Sequence, residues 1–380
     1  MKKLKKLLYE KAPRRERPFA MRLMLDSGAY TAWTKGVEID VDRYADFVLE
    51  NQKYITVAVN LDTLPGKKGK IPSDADAEEA ARLSFDNLIH LRDRGVNVIP
   101  VFHQGERFYW LDKMLGEGFD YIGLSPNQNR THVQRYEWVR NCFSKLCGNS
   151  PYTTVKTHGF GFTSFKSIRD FPWYSLDSTS WIRSESGHGI ILVPRTDAQG
   201  NYVFRRPYSR VAVTTDKFSQ SAWKNGNHIN QLGKRDRDYV EKVMADAGAD
   251  FSKCHTSSGN GWCARATQTA WAYTGMVLAN SNNPFTHRVA NTQDSEYGAD
   301  KMPWNPMHFY FGGVSRFHHS APAQVVRGCQ AHDLNNGGIL VSYMAICPKG
   351  DNNAATATLR KIMSIKRYAF EKVYNEHATT

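Results

Sequence analysis

In the first half of the chain, short apolar runs alternate with stretches of helical spacing, and this rhythm constrains the fold more than any other feature. Runs at 22–25, 55–61, 96–102, 121–124, 153–156 and 173–176 have the length and residue types of strands. The stretches 41–51, 75–94, 109–116, 134–146 and 164–170 carry apolar residues at helical intervals. Such alternation builds a parallel sheet covered by helices. Each expected strand ends in polar or glycine-rich residues: DSGAY, NLDT, FHQGE, LSPN, HGFGF and LDSTSW. In (β/α) barrels the reactive side chains collect at the C-terminal ends of the strands. An open dinucleotide-binding sheet would instead carry GxGxxG after its first strand, and that motif is absent. The expectation is therefore an α/β fold, a TIM-like (β/α)8 barrel.

After Trp181 the rhythm breaks. Residues 183–335 are rich in Asn, Ser, Gly, His and aromatics, with strands expected at 190–193 and 211–214 and helices at 237–247 and 264–279. This stretch reads as a large irregular insertion or subdomain that handles nucleic acid. Residues 338–346 look like a returning buried strand and 355–374 like a basic helix, so that 336–380 closes the barrel begun by 21–182, while 1–20 form a basic arm.

Lys and Arg number 50 against 37 Asp and Glu, a net charge of +13, which favours a polyanionic partner. The six cysteines are thinly spread, which fits a reducing compartment better than a disulfide framework. The basic start lacks the apolar run of a signal peptide, and no stretch approaches the ~20 apolar residues of a membrane span. A cytoplasmic protein without a membrane partner is expected; for a phage-encoded one, the compartment is the host bacterial cytoplasm.

Asp26 and Asp177 end two different expected strands, so a barrel would aim both into one mouth. Two carboxylates suffice for substitution at a glycosidic carbon: one attacks the anomeric carbon, the other moves protons on the base. An Asp beside Ser and Gly also serves as a turn or helix cap, so order and context decide. In order, DSGAY at 26–30, HQG at 103–105, GLS at 123–125, HGFGFTS at 158–164 and LDSTSW at 176–181 resemble successive motifs of the tRNA-guanine transglycosylase superfamily. DSGAYTAW followed by DSTSW is most similar to its DNA-modifying branch, the DpdA-like deazaguanine transglycosylases of phages and bacterial DNA-modification clusters. The resemblance covers residues 20–182.

It implies exchange of guanine in DNA for a free 7-deazaguanine, preQ0 or a derivative, through a covalent glycosyl-aspartate. Asp177 would be the nucleophile and Asp26 the general acid/base. Tyr30 would stack on the purine, Ser27 hydrogen-bond the heterocycle and Asp62 read the guanine edge. Gln104 and the backbone at Gly123 would read the O6 side, and His158 would line the pocket. No cofactor is implied for the exchange. Because a paired base must be extruded, Trp33, Phe108, Tyr109, Trp110, Trp181 and Trp262 are candidate wedges or platforms. Lys67, Lys68, Lys70, Arg130, Arg183, Arg205, Arg206, Lys234 and Arg235 are candidate phosphate partners.

The tRNA-modifying relatives carry a zinc cluster after the nucleophile, and its spacing is missing here. Cys254, His255 and Cys263, joined by Cys329, His318, His319 or His332, are a weak alternative; buried free thiols are the expectation. Three other readings stay open at this point: a tRNA-guanine transglycosylase, a retaining glycoside hydrolase using Glu106, and a basic binding protein without turnover.

Overall fold

A computed structural model describes residues 19–52, 55–66, 70–162, 164–215, 220–257, 259–281, 283–285, 307–312, 324–325, 328–329, 332 and 339–346. The basic arm up to residue 18, Lys67, Lys68, His318, His319, Cys347 and the helix expected at 355–374 lie outside the described residues.

Strand–helix alternation governs the first half. Strand β1 (Phe19–Asp26) leads to α1 (Ala29–Lys35) and α2 (Val41–Asn51), and β2 (Val57–Val59) to α3 (Asp74–Asp93). Strands β3 (Val98–Ile99) and β4 (Val101–His103) precede α4 (Phe108–Gly116), and β5 (Tyr121–Ser125) precedes α5 (His132–Cys147). Then come β6 (Lys156–Gly159), α6 (Phe165–Asp170) and β7 (Ser175–Ser178). The helices start where side chains satisfy their first free amides. Asp40 accepts from the Arg43 amide, and Ser73 with Asp76 and Thr131 with Gln134 form capping boxes. Their apolar stripes, such as Trp138, Val139, Cys142, Phe143 and Leu146 on α5, are buried against the sheet.

Among the described residues the main sheet is parallel, in the order β3-β2-β1-β13-β12-β7-β6-β5-β4. Strands β12 (His308–Gly312) and β13 (Ile339–Ile346) come from the far end of the chain. The outermost members, β3 and β4, are one run of chain interrupted at Pro100, which has no N–H for the ladder. Its first half pairs with β2 and its second with β5.

The two faces of the sheet pack differently. Leu23, Leu25, Ala58, Phe102, Ile122, Leu124 and Leu176 join the large core under the helices. Met24, Val57, Val59, Ile99, Val101 and Tyr310 form a second, smaller core with Tyr121 and Phe160 against it. Strands far apart in the sheet order contribute to this smaller core, so that face is concave.

Three expectations need correction. Residues 183–335 are not wholly an insertion, because β12 lies in the main sheet between β7 and β13. Its aromatic run HFYF is strand-forming, but Asn- and Gly-rich surroundings hid it. Strand β6 occupies Lys156–Gly159 rather than 153–156, because pairing of Tyr121 with Lys156 sets its start. Helix α1 was not anticipated. The rest of the second half holds antiparallel β8 (Ile190–Val193) with β11 (Ser209–Ala212), the short pair β9 (Arg195–Thr196) with β10 (Tyr202–Val203), and helices α7 (Gln220–Lys224), α8 (Lys234–Asp246) and α9 (Gly259–Ala279). Helix α9 is buried along most of its length, and buried Arg265 donates to the carbonyls of Ser186, Cys254 and Thr256. No described helix is long and apolar enough to cross a membrane.

Candidate active site

Parallel strands bring their C-terminal ends to one side of the sheet, and four polar side chains expected at that end belong to this group. Asp26 closes β1, Asp62 follows β2, His158 sits within β6 and Asp177 within β7. His103, which closes β4, joins them.

Gly28 has φ +79°, a left-handed turn that glycine adopts without strain, and this turn sends its amide back onto Asp26 Oδ1 at 3.3 Å. Burial raises the Asp26 carboxyl to about 7; the Gly28 amide opposes the rise, and the negative charges of Asp62 and Asp177 add to it. A carboxyl that changes charge near neutrality is suited to general acid/base work.

Asp177 is held differently. Its Oδ1 accepts the Gly161 amide at 2.8 Å, and His158 Nε2 stands 3.4 Å from the same oxygen. Gly161 has φ +67°, so the second glycine of HGFGF supplies the turn that aims this amide. His158 is fully buried, with Nδ1 2.7 Å from Ser175 Oγ, and Ser175 Oγ is 2.5 Å from the Tyr121 hydroxyl. The link follows from register: His158 lies opposite Ser175, two residues before Asp177 on the same face of β7.

His103 Nε2 is 2.7 Å from Asp62 Oδ2, and its Nδ1 is 3.1 Å from Glu106 Oε1. Burial opposes protonation of His103, but hydrogen bonds and charge from Asp62 and Glu106 outweigh it and raise the imidazole to about 10. It is therefore an imidazolium at neutral pH, fixing Asp62 from behind. Glu106 also accepts the His103 amide through Oε2 at 3.0 Å. Both its oxygens are thus turned to His103, a structural clamp rather than the strand-end acid of a glycoside hydrolase.

Tyr30 is 57% exposed on the first turn of α1, beside Trp33 at a centroid distance of 6.0 Å. Trp33 donates to the Gly66 carbonyl and ties α1 to the segment after β2. Ser27 is buried, and its hydroxyl accepts the Ala29 amide at 3.4 Å. Gln104 does not reach the site: its amide accepts from the Asn127 amide and donates to the Gln134 carbonyl, both at 3.1 Å, bracing β4 to the β5–α5 segment. Gly123 acts by lacking a side chain, because a Cβ there would run into the Phe160 ring.

Trp110, Trp181 and Trp262 are core residues rather than wedges, and Phe108 packs on Phe102. Trp181 opens a π-helical turn, Trp181–Glu185, directly after the β7 segment that carries Asp177. Tyr109 is 57% exposed. Arg130 and Arg183 lie on segments following β5 and β7, at the carboxylate end of the sheet. Arg206 is exposed in the second half, as is Arg205, whose Nε donates to the Ala279 carbonyl at the end of α9. Lys70 is exposed after β2, and Lys234 and Arg235 are exposed at the start of α8.

Sequence reasoning missed Gly161, Ser175, Tyr121 and the clamp on His103. The spacing of Ser175 and Asp177, two apart on one strand, was the available signal.

Among the described residues no group of three or more His, Cys, Asp or Glu side chains is arranged to hold a metal ion. Burial pushes the thiols of Cys254 and Cys329 up to about 12, while His255 and His332 engage the carbonyls of Val213 and Trp271. The chain matches no protein-family model, no curated protein and no solved structure.

Proposed function

We propose that this protein exchanges guanine in DNA for a 7-deazaguanine, with Asp177 as nucleophile and Asp26 as general acid/base, on a closed (β/α)8 barrel. The observation that carries the reading is that burial raises the Asp26 carboxyl to about 7, with Asp62 and Asp177 close enough for their charges to add to the rise. Closure is supported by the run from Val98 to His103, which pairs with β2 on one edge and β5 on the other across Pro100. The concave face filled by Met24, Val57, Ile99, Val101 and Tyr310 supports it too.

In this mechanism a carboxylate oxygen of Asp177 attacks C1′ of the extruded nucleotide. The bond from C1′ to N9 breaks, and protonated Asp26 delivers its proton to the departing guanine. The resulting Asp26 carboxylate takes the N9 proton of the incoming base, whose nitrogen displaces Asp177 and restores both carboxyls. One glycosidic bond replaces another, so no external energy source enters. Asp62, paired with the His103 imidazolium, accepts donors on the base edge. The surface around this end suits an unstacked strand. Of the large hydrophobic side chains described as exposed, Ile71 lies between β2 and α3, and Tyr30, Tyr109 and Val133 lie in the first turns of α1, α4 and α5, the helices that follow strand ends. Lys70, Arg107 and Arg130 lie between strand ends and the helices that follow them.

The test is release of labelled guanine from duplex DNA, single-stranded DNA and tRNA in the presence of a 7-deazaguanine, for wild type and Asp177→Ala. Release from DNA by wild type alone is the expected result. Release only from tRNA would transfer the chemistry to the tRNA-guanine reading, and release from none would overturn the proposal.

A further inference from the structure

The Tyr121–Ser175–His158 chain has no part in the mechanism above, yet it ends on the proposed nucleophile. We infer that it is polarised toward Asp177, with Tyr121 donating to Ser175, Ser175 donating to His158 Nδ1, and His158 Nε2–H holding Oδ1 of Asp177, which leaves Oδ2 to attack. His158 is then a positioning residue. The assignment of Oδ2 rests on Asp177 being the nucleophile; the polarity of the chain does not.

Proton counting sets the direction. A serine hydroxyl has one proton to give, so Ser175 faces either His158 or Tyr121 as donor. If it donated to Tyr121, the His158 Nδ1–H would donate to Ser175, and a neutral ring would turn a bare lone pair on Nε2 toward Asp177 Oδ1, 3.4 Å away. Both atoms are poorly solvated there, His158 fully buried and the Asp177 side chain 11% exposed, so a nitrogen lone pair facing a carboxyl oxygen lone pair is repulsive. The opposite polarity presents N–H to that oxygen.

His158 Nε2 makes no hydrogen bond in the structure, and Asp177 Oδ1, 3.4 Å away, is the carboxylate oxygen placed to relieve its burial. The 3.4 Å contact is a close approach rather than a formed hydrogen bond, and catalytic contacts of this kind tighten on substrate binding.

Packing fixes the ring in the orientation this requires. Phe160, Tyr310 and Tyr121 meet His158 edge-on, with centroids at 4.4, 5.8 and 6.5 Å and interplanar angles of 76°, 76° and 81°. Phe160 reaches that place over Gly123, and Tyr310 lies opposite Asp177 in the strand register. Since the Gly161 amide also binds Oδ1, both donors fall on one oxygen and the carboxylate has a fixed inner and outer face.

The far end of the chain is accessible to substitution. Tyr121 borders a cavity of about 300 Å³ at the N-terminal ends of the strands, lined also by Asn97, Phe119, Lys156 and Tyr174. Tyr121→Phe removes one atom and leaves the ring in place.

The experiment is nitrogen-15 NMR of the histidines in the full chain, with His158→Gln used to assign the signal, on wild type, Tyr121→Phe and Ser175→Ala. The expected result is an Nε2–H tautomer in wild type and a mixture of tautomers in both variants. With circular dichroism unchanged, kcat for guanine exchange should fall about tenfold while KM for the free base stays put. An Nδ1–H tautomer in wild type, or variants that leave the tautomer unchanged, would overturn the inference. The tautomer is read on the protein alone, so failure of the exchange reaction would count against the proposed function and leave this result standing. Should Ser175→Ala fail to fold, Tyr121→Phe alone decides.

Discussion

Asp26 ends β1 where ionisation is opposed by burial and by the charges of Asp62 and Asp177. The rate of exchange should therefore change with pH around an inflection near 7, and Asp26→Asn should remove both the rate and the inflection. The same shift affects stability with a definite sign. Below about pH 4 the carboxyl is protonated folded and unfolded alike; as pH rises to 7 the unfolded chain ionises while the fold resists, and stability is lost. Asp26→Asn should then raise Tm by about 2–5 °C at pH 8 and leave it nearly unchanged at pH 4, as differential scanning calorimetry would show. Equal effects at both pH values would mean that the carboxyl is not raised. His103 titrates with the other sign. Its stabilisation is complete below its unfolded value near 6.5 and disappears as pH rises through about 10. Removing one member of a buried charge cluster strands the others, so His103→Gln should cost about 3 kcal/mol at pH 6 in urea unfolding, with the gap narrowing above pH 10.

At the scale of elements, two glycines shape the site through opposite properties. Gly161 is needed for its left-handed backbone, which aims an amide at Asp177; Gly161→Ala should cost about 1–2 kcal/mol and slow the exchange. Gly123 is needed for its missing Cβ, since the Phe160 ring fills that space over β5. Gly123→Ala should cost about 1–3 kcal/mol in chemical denaturation and tilt the ring that braces His158. If Gly123→Ala is as stable as wild type, Phe160 does not need that space. Helices were legible from apolar spacing, while their starts are set by capping boxes that the spacing does not reveal, Ser73 with Asp76 and Thr131 with Gln134. The start of β6 was not, because Thr153, Thr154 and Val155 have the local character of a strand while the partner strand β5 decides where pairing begins.

At the scale of the whole molecule, Tyr30, Tyr109, Lys70, Arg107 and Arg130 stand at the end of the sheet that holds the carboxylates. If that end meets nucleic acid, alanine at Lys70, Arg107 or Arg130 should lower the slope of log affinity against log salt. The decrease should be about 0.9 for each duplex phosphate no longer neutralised, or about 0.7 on a single strand. Fluorescence anisotropy over a salt series reads this directly, and an unchanged slope in all three variants would separate the basic charge of the chain from this surface. The second half contributes to the same architecture: β12 stands between β7 and β13, so a segment that reads as insertion supplies a strand beside Asp177.

From the sequence alone came the parallel α/β class, the helices of the first half other than α1, and Asp26 and Asp177 at strand ends, with Asp62 and His158 added by the resemblance. The fold class, the helices and the two strand-end aspartates follow from periodicity and strand-end chemistry, which act over a few residues. Tertiary structure alone decided that Gln104 braces two loops, that Trp181 is core, that Glu106 grips His103, and that Tyr121 and Ser175 connect through His158 toward Asp177. Each of these depends on which side chain the parallel register sets opposite another strand or loop, and that pairing is fixed by packing across the whole sheet rather than by neighbours along the chain.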